Sequence, residues 1–266
     1  MKKFYDYWNQ KIRDWHKDQN VCFLEDIYSR IYCGRGKNEL APKFLPEPYL
    51  GEMENCSAVI INKNPGSSID TLQHHESGRF ITEDNAHLDY YEFAKSFPYL
   101  SKYRKDGGNW WQKRINWIKR MGVQGGLSPF ALEVCPWHSS LFNKNNLKLD
   151  DESYLKYLNE FVIEPAESAN KFSQLGIILS VGSLFNDLYE KLLFTNELEI
   201  SEKTYEKYGL DWHLNIKHNP VKVKFTVWKS PSGNYFLNFA SGSGYNQVPA
   251  EKWKHIEQFI LGELKN

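Results

Sequence analysis

Three nearly continuous apolar runs, at residues 57–61, 130–134 and 175–181, stand out along the chain. They are rich in Val, Ile and Leu, which is typical of strands buried on both faces of a parallel sheet. The first run leads into an Asn-Pro-Gly sequence at 64–66, and the second is stopped by Pro136. Proline lacks the backbone donor and glycine favours turns, so neither continues a central strand. We therefore predict three buried strands, with polar residues just beyond their carboxyl ends.

Helical spacing of apolar residues separates these predicted strands. Residues 4–33, 109–121 and 151–172 each place their apolar side chains on one face of a helix. Pro165 is expected to kink or restart the last of these helices, and Ser183 is expected to begin another. Alternation of strand and helix is the pattern of a parallel sheet with right-handed crossovers.

The last part of the chain has a different periodicity. Apolar and polar residues alternate over 222–229, a Pro-Ser-Gly-Asn turn follows, and residues 235–240 return as a second strand. This predicts a hairpin at the far side of the sheet, and a C-terminal helix is expected from about Ala250. Together the elements predict an α/β fold with three layers, α/β/α. Its central, mostly parallel sheet has four strands, with an added hairpin and N-terminal helices.

Length and charge limit the possibilities. A chain of 266 residues suggests between one and two domains. We predict a single domain, 1–266, with a helical N-terminal extension at 1–41 and the α/β/α core at 42–266. Zero net charge argues against a surface coated in basic charge but leaves a local nucleic-acid patch open. The nine Trp, sixteen Tyr and sixteen Phe provide either core or surfaces on which bases stack.

Cysteine spacing and hydropathy exclude further classes. Cys22, Cys33, Cys56 and Cys135 contain no C-x-x-C pair, so we expect neither a zinc site nor an iron–sulfur cluster, and no other cofactor. The N-terminus lacks the apolar run of a signal peptide, and no stretch approaches the roughly 20 apolar residues of a membrane span. We therefore expect a cytoplasmic protein with reduced thiols that does not enter a membrane.

The ends of the predicted strands resemble a known family. Residues 57–68, which contain the Asn-Pro-Gly sequence, resemble the first motif of the uracil-DNA glycosylase superfamily in its mismatch-specific and single-strand-selective branches. Residues 132–136 resemble the Asn-Leu-Cys-Pro strand of the single-strand-selective uracil glycosylases, with Glu133 in place of the Asn that recognises the flipped base. The order of four elements matches over residues 42–262. Residues 46–51 also resemble a bacterial group described only as glycosylase-like.

The resemblance implies a catalytic role for Asn64, and the position of His138 makes it the second catalytic candidate. Asn64 follows the first strand, where ligands bind in open α/β sheets, and its amide oxygen is suited to hold a water; alternatively it is a turn residue. The histidine of the superfamily's His-Pro-Ser loop is absent, because Ala240 or Ser241 occupies that region. His138 either replaces that histidine as donor to the leaving base or is a loop histidine bonded to the backbone.

Three residues are candidates for contact with the flipped base. Glu133 is a carboxylate in an apolar strand, which is costly without a partner. An ionised Glu133 would accept a hydrogen bond from an exocyclic amino group of the base. A protonated Glu133 would donate to the leaving base. The alternative is that Glu133 forms a structural ion pair. Phe80 either stacks on the base or belongs to the core, and Lys63 is placed with the base-binding residues.

The remaining candidates concern the DNA backbone. The Gly/Ser sequence after the last strand has small residues and free N–H groups suited to a closely approaching phosphate backbone, or is a flexible linker. Tyr245 is a candidate wedge between stacked bases. The predicted DNA-binding residues are Ser241, Ser243, Tyr245, Asn246, Lys113 and Arg114.

The sequence therefore predicts a monofunctional DNA glycosylase, a hydrolase that flips a modified or non-uracil base of DNA out of the stack and excises it. The most specific hypothesis is a hypermodified cytosine of phage DNA, with residues 74–76 accepting the substituent, in anti-phage defence. The alternatives are a non-catalytic nucleic-acid-binding module on the same fold, a uracil-DNA glycosylase, and a hydrolase of free nucleosides or nucleotides. The expected partner is DNA, with neither metal nor membrane.

Overall fold

The computed structural model describes residues 2–66, 90–97, 109–201, 213–216, 219–222 and 224–239. Its helices are α1 (Lys2–Lys17), α2 (Gln19–Leu24), α3 (Tyr28–Ile31), α4 (Tyr90–Lys95), α5 (Asn109–Arg120), α6 (Glu152–Leu158), α7 (Glu164–Asn170) and α8 (Leu184–Lys191). Its strands are β1 (Tyr49–Leu50), β2 (Ala58–Asn62), β3 (Pro129–Glu133), β4 (Ile178–Val181), β5 (Thr195–Ile200), β6 (His213–Ile216), β7 (Asn219–Lys222), β8 (Phe225–Lys229) and β9 (Tyr235–Phe239).

The central sheet has seven strands in the order β1-β3-β2-β4-β9-β8-β5. The four central strands, β3, β2, β4 and β9, are mutually parallel. The outer strands β1, β8 and β5 are antiparallel to their neighbours. The predicted mostly parallel four-strand centre is thus confirmed, as is the β8–β9 hairpin at the far side, but the complete sheet is larger than the four strands predicted.

Alternate residues of β2, β4 and β9 belong to two separate apolar clusters. Val59 and Ile61 of β2 belong to the larger cluster, which also contains buried residues of α1, α6, α7 and α8. Ala58 and Ile60 belong to a second cluster, in which Ile118 of α5 packs over the sheet. Because helices contribute to both clusters, the sheet lies between helical layers. Burial on both faces also explains why these strands are apolar at consecutive positions.

The N-terminal helices form because their apolar residues recur at helical spacing. Phe4, Trp8, Ile12 and Trp15 of α1 are all buried, and they join the same apolar cluster as the central strands. Asp18 caps α2, since its carboxylate accepts from the backbone N–H groups of residues 20 and 21. The predicted helical layer is confirmed, and it is packed against the sheet.

The predicted helix at 151–172 is confirmed, with an irregularity before its proline. Asp151 caps α6 by accepting from the backbone N–H of Tyr154. A π-helical turn, Asn159–Ile163, follows, and α7 restarts with Pro165 in its first turn. A proline in this position has no N–H to donate to the preceding turn, so the wider turn lies where the hydrogen-bond pattern is interrupted. The predicted C-terminal helix from Ala250 lies outside the described residues.

Candidate functional site

The polar residues of interest meet at the carboxyl edge of the parallel strands. Asn62 and Glu133 are register partners at the ends of β2 and β3. The pairing continues beyond the strands, since the N–H groups of Val134 and Cys135 donate to the carbonyl oxygens of Asn62 and Lys63 at 2.9 and 2.8 Å. Register partners in parallel strands point to the same face. Asn62 and Glu133 therefore share the face that α5 covers.

Glu133 is a buried carboxyl group, 8 % exposed, with its two oxygens in different environments. Oε1 accepts a hydrogen bond from Asn62 Nδ2 at 3.0 Å. Oε2 is buried and has no hydrogen-bond partner among the residues that the structure describes. Burial raises the pKa of Glu133 well above its ordinary value, and the nearby carboxyl of Glu47 adds to this, while Asn62 and the Arg114 guanidinium oppose it.

Asn64 lies just beyond β2, and its amide is held in one orientation. Its Nδ2 donates to Ser139 Oγ at 3.0 Å and lies 3.5 Å from the carbonyl oxygen of Trp137. A carbonyl oxygen only accepts, so it is the amide nitrogen that faces Trp137. The opposite end, Oδ1, has no hydrogen-bond donor within the described part of the chain. The arrangement leaves an acceptor available to a water or ligand.

His138 is almost fully buried, 1 % exposed, and both of its ring nitrogens contact the backbone. Nδ1 lies 2.6 Å from the carbonyl oxygen of Gly66, and Nε2 lies 3.0 Å from that of Leu45. Burial lowers the pKa of His138 to about 4, and the two carbonyl oxygens act in the opposite direction. These contacts tie the loop of Asn64 to the segment before β1. A catalytic His138 would first have to release one of these oxygens.

Cationic groups converge on the same edge. The aliphatic end of Lys63 crosses Gly182, where a Cβ atom would lie 2.9 Å from Lys63 Cε. Burial lowers the pKa of Lys63, and the charges of Arg114 and Lys144 add to this. Burial also lowers the pKa of Arg114, to about 10, against the opposing charge of Glu133. An anionic ligand at this edge would meet several positive charges.

Four residues of the site were missed by the sequence interpretation: Glu47, Asn62, Ser139 and Gly182. Asn62 and Gly182 carried a signal, because each directly follows a predicted strand at the edge where ligands bind. Glu47 is only 4 % exposed, and its position between two prolines in an extended connector gave no reason to expect burial. Its backbone N–H donates to the carbonyl oxygen of Pro136 at 2.9 Å, which holds this segment beside the end of β3.

Several predicted site residues cannot be placed. Arg114 lies on α5, next to Lys113, whose side chain is outside the described part of the structure. The residues predicted to stack on the base, to contact the DNA backbone or to accept a base substituent also lie outside the described residues. They are Phe80, Ser241, Ser243, Tyr245, Asn246 and the loop at 74–76.

Wider comparisons add no identification. Protein-family models, curated proteins and solved structures were compared with this chain, and none of them matches. Within the described ranges, no three His, Cys, Asp or Glu side chains are grouped so that they could hold a metal ion. No helix in those ranges is long and apolar enough to cross a membrane.

Proposed function

We propose that this chain is a monofunctional DNA glycosylase that hydrolyses the N-glycosidic bond of a flipped, modified or non-uracil base. The observation that carries the proposal is the anchored amide of Asn64. Its nitrogen is bound by Ser139 and faces the Trp137 carbonyl, which leaves the amide oxygen for a water at the carboxyl edge of the sheet. The buried carboxyl of Glu133 lies at the end of the adjacent strand.

The chemistry asked of these residues is modest. Breakage of an N-glycosidic bond passes through an oxocarbenium-like sugar, as glycoside hydrolysis does. The protein must flip the base out of the stack, place a water and stabilise the departing base. An amide oxygen positions the water but is too weak a base to deprotonate it. Catalysis then depends on positioning and on a donor to the leaving base, for which the Glu133 carboxyl is the candidate.

The choice of base follows from Glu133. Asn62 donates to Oε1 of Glu133 and so holds this oxygen as an acceptor. An acceptor at this position pairs with the amino group of a cytosine-type base but faces the O4 acceptor of uracil with like polarity. Unmodified cytosine is excluded as a substrate, since the enzyme would then attack the genome of its own cell. A cytosine with a bulky substituent, as in hypermodified phage DNA, meets both conditions. That substrate makes the protein a factor in anti-phage defence.

The direct test is base release from DNA. Oligonucleotides that contain uracil, cytosine or different modified cytosines are incubated with the protein, and abasic sites are revealed by alkaline cleavage. We expect cleavage at a modified base by the natural protein. If no oligonucleotide acquires abasic sites, the glycosylase proposal is wrong.

The matched variant for this test is Asn64→Ala. It should reduce base release by at least 100-fold, about the effect of removing one group that positions a reactant, while DNA affinity changes less than about threefold. Asn20→Ala removes an exposed asparagine of α2 and serves as the control. Activity of Asn64→Ala equal to that of the control would remove Asn64 from the mechanism.

A non-catalytic nucleic-acid-binding module on the same fold is the second candidate. The observation that favours it is His138, whose two ring nitrogens both contact backbone carbonyl oxygens, so the ring has no free N–H for a leaving base. Filter binding with single-stranded DNA, duplex DNA and free nucleotides separates the candidates. Tight DNA binding without any base release supports the module, and binding of free nucleotides alone contradicts both.

A further inference from the structure

Ionisable residues from three other segments of the chain lie near the carboxyl group of Glu133. Glu47, on the segment before β1, raises its pKa, and Arg114 of α5 lowers it. Tyr90 of α4 faces the same place, because burial raises the pKa of Tyr90 and both Glu47 and Glu133 add to the effect. Burial raises the pKa of the Cys135 thiol, just after β3, and the charge of Glu133 adds to this. A second buried carboxyl group and one guanidinium therefore lie near enough to influence the pKa of Glu133.

Two buried acidic groups that repel one another do not readily both ionise, so one of them is expected to hold a proton. Oε2 of Glu133 assigns the proton to this residue, because a buried carboxylate oxygen that receives no hydrogen bond in the described part of the chain is costly when it is charged. Asn62 Nδ2 donates to Oε1, so Oε1 is the acceptor oxygen of the pair. Oε2, which is buried and has no partner in the described part of the chain, is then the oxygen that carries the hydrogen. The O–H group lies at the carboxyl edge, in the site of the proposed reaction.

We propose that Glu133 acts as a neutral carboxylic acid, which donates Oε2–H to an unprotonated ring nitrogen of the flipped base and accepts from the adjacent amino group through Oε1. This proposal rests on the proposed function for the identity of the ligand. A carboxylate could satisfy the amino group of a cytosine-type base but would set its second oxygen against the lone pair of the ring nitrogen. The acid satisfies both positions, since Oε1 has a second lone pair.

Glu47 acts through Glu133 as a positioning residue in this scheme. Its carboxyl is buried, 4 % exposed, and its charge favours the protonated form of Glu133. The same acid serves the reaction, because a proton already hydrogen-bonded to the ring nitrogen can be transferred to the base as the base gains electrons on departure. The proton moves from Oε2 to the base as the glycosidic bond breaks, and the electron pair of that bond remains on the base. The water then bonds to the sugar carbon C1′ and loses a proton to solvent, from which the Glu133 carboxylate regains one.

The protonation state is measured without any DNA. Carbon-13 NMR of the glutamate side-chain carboxyl carbons follows each resonance with pH, and the resonance that disappears in Glu133→Gln is that of Glu133. We expect Glu133 to remain protonated at neutral pH. In Glu47→Gln it should ionise at lower pH, whereas Glu92→Gln, which changes an exposed residue of α4, should leave it unchanged. Ionised Glu133 throughout the range from about pH 5 to about pH 8 overturns the proposal.

Recognition of the base is measured as binding to single-stranded oligonucleotides that differ at one position, cytosine, adenine, 3-deazacytosine or uracil. The natural protein should bind cytosine or adenine about tenfold more tightly than 3-deazacytosine, which lacks the acceptor nitrogen, the usual effect of one buried hydrogen bond. Glu133→Gln places an amide N–H₂ where the acid had its O–H and should keep this preference at every pH. The natural protein should lose it as Glu133 ionises.

Loss of the preference in Glu133→Gln would instead indicate an ionised acceptor and overturn the proposal. Equal affinity of the natural protein for all four oligonucleotides would overturn the proposal that Glu133 recognises the base. Thermal unfolding of each variant checks that it is folded. Because these measurements need no catalysis, they are independent of base release. A protonated Glu133 with the expected preference but no abasic sites contradicts only the proposed glycosylase activity.

Discussion

At the scale of single residues, the site combines groups whose usual charge states are altered by burial. Burial raises the pKa of Glu133 and lowers those of Lys63 and His138, because each charged form loses hydration. The ring nitrogens of His138 contact backbone carbonyl oxygens. The carboxyl group of Glu133 accepts a hydrogen bond from the Asn62 amide. Each shift therefore predicts a different dependence on pH.

His138 predicts that the protein loses stability in acid. Its folded-state pKa is about 4, below the roughly 6.5 of an unfolded chain, so the unfolded state binds the proton first as pH falls. The contribution of His138 to stability is fully present above about pH 6.5 and falls towards about pH 4, by about 3 kcal/mol in total. The raised pKa of Glu133 acts in the opposite direction over part of this range, so the His138 contribution is the difference between the profiles with and without this ring. Urea unfolding at several pH values measures this loss.

The matched variants for that measurement are His138→Gln and His16→Gln. The first removes the buried titrating ring and should abolish most of the loss of stability in this pH range. The second removes an exposed histidine of α1 and should retain most of the loss. Equal pH profiles for His138→Gln and the natural protein would show that His138 does not titrate as its burial requires.

At the scale of the elements, a side chain passes close to the backbone just beyond the carboxyl end of β4. Gly182 has φ +121°, a conformation that residues with a Cβ rarely adopt, and Lys63 crosses it. Gly182→Ala should therefore cost about 1–3 kcal/mol of stability and also displace the ammonium group of Lys63. Urea unfolding and DNA binding of the variant measure the two effects separately.

Gly176 provides the control, since it also has positive φ, +63°, but no atoms within 4 Å of an added Cβ. Gly176→Ala should lower stability by about 1 kcal/mol and leave DNA affinity unchanged. If the two variants bind DNA equally well, the position of Lys63 over Gly182 has no role in binding.

The elements also show how far the sequence alone could lead. The buried strands β2, β3 and β4 and the hairpin were predictable, because burial on both faces leaves continuous apolar runs and one turn sequence is explicit. Strand β5 was missed, since four of its six positions are exposed and its residues are mostly polar. Strand β1 is only two residues long and exists because a proline-rich segment pairs with β3.

The candidate site was predicted in part for a related reason. Asn64 and Glu133 were found because a strand end and an apolar run mark them in the sequence. The proximity of Glu47 and Arg114 to Glu133 depends on how the segment before β1 and helix α5 pack against β3. Such contacts between segments distant in sequence have no local pattern, so only the fold could reveal them.

At the scale of the whole molecule, the helices before β1 are part of the structure that supports the site. Trp15 Nε1 donates to the carbonyl oxygen of Pro42 at 2.7 Å, and Phe4 of α1 packs beside Tyr49 of β1 and Phe130 of β3. The segment that carries Glu47 is thereby held between α1 and the sheet.

Positive and negative residues number 33 each, so any attraction for DNA must come from local charge.

The last prediction concerns that local charge. Lys113, Arg114 and Arg120 recur on α5, the helix that covers the face of Asn62 and Glu133. If about three phosphates are neutralised, the logarithm of the affinity for single-stranded DNA should fall with the logarithm of salt concentration with a slope of about −2. Filter binding over a range of salt concentrations measures this slope. Lys113→Gln should reduce it by somewhat less than one, because one contact is lost. Lys17→Gln, on α1 and ion-paired with Asp14, should leave it unchanged. A slope near zero would mean that binding does not depend on phosphate contacts, and it would favour a free nucleoside or nucleotide over DNA as the ligand.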